Sequence, residues 1–292
     1  MVAQSLIEAG GDVELFLRRF AMRLRWWIVA FPAGVGKATA RSGIKLWLGA
    51  SPGKAGVFSA GNGPAMRSAI IGAAIDDLDR MLALVRASSR LTHTDPRAEY
   101  GAIAVALAAW QSRQSSEPAT DGWLAALAGA IGGEGEELLA LLRRAVDSVK
   151  AKESTLEFAA ALGLQTGVTG YTYHTVPVAI HAWLSHPRDF RSAVMSSIQC
   201  GGDADTTAAI VGGIMGAGVG PSGIPADWLS GIWEWPRSVR WMEALGVRLA
   251  TALQEGRPAN APGVNPLAVL ARNILFLLVV LLHGFRRLAP PY

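Results

Sequence analysis

Apolar residues recur every three to four positions along most of this chain, so the dominant predicted element is the amphipathic helix. Val2 to Gly10 reads as the tail of a helix closed by glycine. Asp12 can cap a second helix reaching about Ala30, with Leu15, Phe16, Phe20, Trp26 and Trp27 against Arg19 and Arg23 on a basic face. A long helix is predicted from about Ala65 to Ser88, and Asp95-Pro96 opens the next, which reaches Trp110. Helical patterns also cover about Asp121–Ile131, Glu134–Lys152, Ser154–Leu162, Val176–Leu184 and Pro187–Ile198. No stretch alternates with a period of two, and no Asn-Gly turn joins two apolar runs. The fold class is therefore all-α.

The segments between helices are rich in glycine at Ser51–Gly63 and Gly163–Thr175, and polar at Gln111–Thr120, the best surface-loop candidate. Glu255–Pro266 reads as a tether, which divides the chain into a helical domain over 1–255 and a tether plus apolar helix over 256–292. In that last helix the nine residues Ile274–Leu282 are apolar throughout. Nine is well short of the roughly 20 needed to cross a bilayer. The helix is expected to dock on the body of the protein, with association to a membrane surface as the second reading because Arg286-Arg287 follows.

Composition narrows the class. With 292 residues, 51% of them hydrophobic and only 17% charged, the chain can bury a large core and is not disordered. The net charge of +4 is spread out apart from Arg18-Arg19 to Arg25 and Arg286-Arg287, so no nucleic-acid partner is expected. The single cysteine, Cys200, rules out an internal disulfide and a cysteine zinc cluster. Without a basic-then-apolar leader at its start, the chain is expected to be cytoplasmic.

The chemistry concentrates at Gly201-Gly202-Asp203-Ala204-Asp205-Thr206-Thr207. Two carboxylates one residue apart, at the start of a helix and beside hydroxyls, are hard oxygen donors suited to Mg²⁺ or Ca²⁺. The same residues also read as a doubly capped helix start in which Asp203 or Asp205 accepts first-turn N–H groups. Gly61-Asn62-Gly63 is either a turn or an anion site at a helix N-terminus, and His93 either touches a ligand or is hydrogen-bonded near a helix start. Trp228, Trp233, Trp235 and Trp241 could stack a base, although core packing is the commoner use. Gly36-Lys37 is not a phosphate loop, because Ala38 follows the lysine and no strand precedes it.

Taken together, Ser59–Arg67, Leu91–Pro96, Gly167–Pro177 and Gly201–Ala217 with Ile224–Trp228 behind it resemble, in order and spacing, the ADP-ribosylglycohydrolase family across about residues 1–250. The resemblance implies an orthogonal multi-helix bundle with a cleft for two Mg²⁺ or Mn²⁺ ions, which releases ADP-ribose from a modified protein side chain or a small acceptor. It makes Asp203 and Asp205 catalytic and, with Thr206, metal ligands. It makes Gly61, Asn62, Gly63, His93, Gly170 and Tyr171 substrate contacts, and leaves Cys200 structural. The family's N-terminal Gly-Asp segment and its Thr-Asp-Asp-Thr-like motif have no counterpart here, and Asp76-Asp77-Leu78-Asp79 follows the Gly-Asn-Gly helix instead of preceding it. The expectation is a chain begun at an internal residue of a longer protein, with half of its metal cage missing, or else an ADP-ribose binder that does not hydrolyse.

Overall fold

The computed structural model describes residues 1–32, 34–115 and 117–288, so the expected surface loop and the last four residues of the expected 256–292 segment fall partly outside the described residues. Contacts divide the chain into two compact units, one formed by Ala3–Ala55 with the chain from Gly231 onward, the other by Gly56–Ser230.

The first unit opens with α1 (Val2–Ala9), α2 (Val13–Val29) and α3 (Lys37–Trp47). Gly10 closes α1 in the left-handed conformation, and the Asp12 side chain accepts a hydrogen bond from Leu15 N at the start of α2, both as the sequence predicts. Phe16, Phe20 and Leu24 are buried at a spacing of four, and the first two rings lie 5.8 Å apart.

The second unit holds α4 (Ala69–Ala74), α5 (Leu78–Arg90), α6 (Pro96–Gln114), α7 (Thr120–Ile131), α8 (Glu136–Lys150), α9 (Thr155–Ala161), α10 (Thr172–Ser185), α11 (Phe190–Gln199), α12 (Ala204–Gly223) and α13 (Ala226–Gly231). Its centre is α6, buried without interruption from Gly101 to Ala109 and packed against α4, α5, α7, α10 and α12. An alanine-rich helix that is apolar on every side permits such close neighbours all round. The single helix expected over Ala65–Ser88 is instead three pieces: a 3₁₀ turn at Ala65–Arg67, then α4, then α5. The break comes at Ile75, which is extended, and Asp77, whose side chain caps α5 by accepting from Arg80 N. The acidic pair therefore starts a helix, while its other member, Asp76, pairs with Arg113. Helix α10 begins at Thr172, four residues inside the expected loop, because Thr172 N and Oγ1 both donate to Ala60 O and so fix the first turn well before Pro177.

The chain then re-enters the first unit with α14 (Val239–Glu255), which the aromatic run did not reveal, and α15 (Pro266–Leu288). The expected docking of α15 extends only to its first two turns. There Val269 and Asn273 are buried, Asn273 Nδ2 donates to Ala30 O at 2.8 Å, and Arg272 pairs with Glu234 at 2.6 Å. Among the described residues there is no strand, only three isolated bridges, and all three lie in the second unit.

Candidate active site

Those three bridges gather four loops of the second unit. Val57 pairs with His93, Gly61 with Tyr171, and Val168 with Gly202. Asn62 N donates to Gly170 O at 3.0 Å, Thr94 N to Val57 O at 3.0 Å and Asp203 N to Val168 O at 2.7 Å. Each motif singled out in the sequence is thus stitched to the next by main-chain bonds that depend on no particular side chain. The closest approach is at Gly202, whose φ is +70° and where an added Cβ would stand 2.0 Å from Val168 O. Only glycine meets both conditions. The result is that Asp203 is delivered at the head of α12 with its orientation fixed from behind.

Asp203 does not cap α12 with its side chain. One carboxylate oxygen accepts from Thr206 Oγ1 at 2.9 Å and the other from Asn62 Nδ2 at 2.6 Å. The same amide group also donates to Thr175 Oγ1 at 3.0 Å. Asn62 is buried, so its side chain is committed to orienting Asp203 and Thr175, 141 and 113 residues away. Asp205 is exposed, and its Oδ1 accepts from Thr206 N at 2.9 Å. Its Oδ2 has no hydrogen-bond partner among the described residues.

His93 is buried beneath the Gly-Asn-Gly loop. A Cβ on Gly61 would lie 3.1 Å from His93 Nε2 and one on Gly63 would lie 3.0 Å from His93 Cε1, so both glycines are there to let the imidazole in. Arg67 reaches under the loop, donating to Gly63 O at 3.0 Å, Ser88 O at 2.7 Å and Thr92 Oγ1 at 2.6 Å. A guanidinium only donates, so the Thr92 hydroxyl accepts from Arg67 and also shares a hydrogen bond with His93 Nδ1, 2.8 Å away. Burial, assisted by the Arg67 charge, holds the His93 imidazole down to about 3, so it is neutral at physiological pH.

Gly170 lies beside Asp203: an added Cβ would stand 3.5 Å from Asp203 Oδ2. Tyr171 is half-buried between the Tyr173 and His174 rings, and its hydroxyl accepts from Arg97 at 3.4 Å. Arg97 is in turn held by Asp95 at 2.7 Å. Its hydrogen bonds, more than any other cause, keep the Asp95 carboxyl below the ordinary carboxylate range. The structure thus gathers Gly61, Asn62, Gly63, His93, Gly170, Tyr171, Asp203, Asp205 and Thr206 into one ring of loops. Sequence reasoning assigned no role to Thr175, Arg67 or Arg97. The first two stand inside quoted motifs, but only the fold reveals their partners. Cys200 is buried, its thiol pushed up to about 11 by desolvation, and it donates to the Thr155 and Ser196 carbonyls.

Among the described residues no three His, Cys, Asp or Glu side chains come together as a metal-holding group. Two carboxylates and a hydroxyl do not supply the oxygen shells of two ions, each of which takes about six ligands. Both oxygens of Asp203 are, moreover, already satisfied by protein donors.

The sequence model of the ADP-ribosylglycohydrolase family matches residues 1–259. A protein of Archaeoglobus fulgidus is 28% identical over 263 residues, spanning 85% of this chain and 76% of its own length. The ADP-ribosyl-[dinitrogen reductase] glycohydrolase of Rhodospirillum rubrum is 26% identical over 75% of this chain, and an ADP-ribosylhydrolase of Bos taurus is 30% identical over 59% of it. The chain spans only 65% and 53% of the lengths of these two hydrolases. A solved ADP-ribosylglycohydrolase-related protein complex superimposes with a TM-score of 0.62 at 28% identity, over 86% of this chain and 78% of that one. With the family model matched over most of its length and its motifs gathered into one site, the chain belongs to the ADP-ribosylglycohydrolase family.

Proposed function

We propose that this chain hydrolyses the glycosidic bond between ADP-ribose and a protein side chain or small acceptor, more slowly than a family member with a complete set of acidic residues. The observation that carries this reading is the hydrogen-bonded line Thr175–Asn62–Asp203–Thr206, which holds a fixed carboxylate in the ring of loops. Cleavage at an anomeric carbon develops positive charge on the sugar, and a carboxylate held in place stabilises that charge without reorganising. Asp203 fills this role, since two donated hydrogen bonds fix its direction. Asp205 is the general base: its free Oδ2 takes a proton from the water that attacks the anomeric carbon. The bond to the acceptor breaks as the water oxygen bonds to that carbon, the acceptor takes a proton from solvent, and Asp205 returns the proton it accepted to solvent. With its ring proton on Nε2, neutral His93 donates to a ribose or phosphate oxygen, and Tyr171, braced by Arg97, lines the nucleotide side.

A single hydrated Mg²⁺ or Mn²⁺ suits the residues present, because such ions retain several waters and need only one or two carboxylates. Asp203, Asp205 and Thr206 would hold it. When bound, it would polarise a ribose hydroxyl and make a bound water more acidic.

The test is release of ADP-ribose from an ADP-ribosylated protein, followed by chromatography with and without 5 mM MgCl₂. Magnesium-stimulated release should fall at least about a hundredfold in Asp203→Ala and in Asp205→Ala, typical for a lost catalytic carboxylate. Unchanged release in both variants would remove the hydrolase reading. The shortage of acidic ligands favours a second reading, a binder of ADP-ribose without turnover. Micromolar ADP-ribose affinity by calorimetry with no release above the uncatalysed rate would support it instead.

A further inference from the structure

We infer that α15 anchors this protein in a lipid bilayer. The helix is 23 residues long, its most apolar 18-residue stretch has a mean hydropathy of 2.1, and only 11% of that stretch is buried. A core helix of the same composition would be covered by protein, and a secretion leader would stand at the other end of the sequence. From Leu278 to Leu288 every residue is exposed, so three successive turns are bare on all sides. An amphipathic helix lying on a membrane surface has one polar face; this one has none between Ile274 and Leu282. A helix that is apolar all round belongs inside a protein core or inside a bilayer.

The first two turns stay on the protein, so the part free to enter lipid is Ile274 to Phe285, which rises about 18 Å at 1.5 Å per residue: enough to insert into the hydrocarbon, and short of the roughly 30 Å needed to cross it. The long side chains of Arg286-Arg287, at the far end, can extend back toward headgroups.

The structure supplies a second, independent sign where the helix leaves the protein. Arg272 pairs with Glu234, which stands between Trp233, 99% exposed, and Trp235, 60% exposed. Asn273 binds Ala30 O, and the next residue, Phe31, is 64% exposed. Three bare aromatic side chains thus surround the point where the helix leaves the body of its own unit. Tryptophan in that position is the mark of the membrane–water interface, where the ring is sheltered and its N–H stays wet. The occupant of this surface is therefore a bilayer and not a second protein.

The experiment is flotation of the full chain with vesicles of phosphatidylcholine and phosphatidylserine, followed by extraction of the floated fraction with 1 M NaCl and with alkaline carbonate. We expect the protein to float, to resist both washes and to be released only by detergent. In Leu278→Arg/Leu281→Arg the floated fraction should fall at least about a hundredfold, the effect of two charges placed inside the hydrocarbon. The far-ultraviolet circular dichroism and thermal midpoint should stay unchanged, because both side chains are exposed and outside the core. Trp233→Ala should lower the floated fraction severalfold. A wild-type protein that stays in the dense fraction, as monomer or as a lipid-free dimer in ultracentrifugation, would overturn the inference. So would complete release by salt.

Discussion

The amide of Asn62 holds one oxygen of Asp203, so Asn62→Asp is the most informative single change. It removes one charge-assisted hydrogen bond at 2.6 Å and sets a second carboxylate against Asp203. The lost bond costs about 1.5–3 kcal/mol. Two unit charges about 4 Å apart repel by about 4 kcal/mol at the effective dielectric of a partly buried pair. Taking up one proton relieves the repulsion, at a cost of about 4 kcal/mol at pH 7 for a carboxyl with an unfolded value near 3.9. The variant should therefore be about 3–5 kcal/mol less stable than wild type at pH 7 in EDTA, after allowance for solvent reaching the half-buried Asp203. The sign with pH follows from linkage: the folded pair holds a proton that the unfolded chain releases, so the deficit grows as pH rises above about 4. At pH 4 it should shrink to the hydrogen-bond part alone. Divalent ions reverse it. A third carboxylate strengthens a mononuclear site, and 10 mM Mg²⁺ should restore about 2–3 kcal/mol if the ion binds near 0.1 mM. Urea denaturation followed by tryptophan fluorescence at pH 4, 5.5 and 7, with and without MgCl₂, measures all three quantities. Asn62→Ala, which loses the bond without adding charge, is the reference. If Asn62→Asp were no less stable than Asn62→Ala at pH 7, or if its deficit did not shrink toward pH 4, Asn62 would not be the group that holds Asp203.

Two further changes test the parts around this pair. Gly202→Ala combines a positive φ with a backbone collision at Val168 O, whereas Gly201→Ala shares the φ, +68°, but meets nothing closer than 3.9 Å. The first should cost about 3 kcal/mol or more and displace Asp203, the second about 1 kcal/mol; equal thermal midpoints for the two would refute the close approach. His93 and His181 are held down to about 3 and about 4, mainly by burial, so folding favours their neutral forms. Stability is then complete above the unfolded value near 6.5 and is lost as pH falls, by about 2 kcal/mol per histidine between pH 6.5 and 5. His93→Gln should remove about half of that slope in denaturant titrations at successive pH values, and an unchanged slope would show that the buried His93 ring does not contribute.

What was legible in the sequence was local. Asp12, Asp95 and Ser154 begin helices where their side chains can reach an N–H two or three residues ahead, and Gly10 ends one, so these boundaries needed no knowledge of the rest of the chain. The break inside 65–88 was missed for a related reason. Asp77 is as good a cap as Asp12, but it lies within an apolar period that continues across it, and the period outweighed the cap. Long-range pairings were not legible at all. Gly61 and Gly63 invited an anion-site reading from their lack of side chains, yet the space they leave is filled by His93, thirty residues on. The same holds for Asp203 and Asp205, which the motif treats as equivalent donors. The fold makes them unequal: Asp203 is committed on both oxygens, to Asn62 and to Thr206, while Asp205 keeps one oxygen open to solvent. In the proposed hydrolysis they would serve as fixed charge and free base, a difference between two identical side chains that follows from which of them Asn62 reaches.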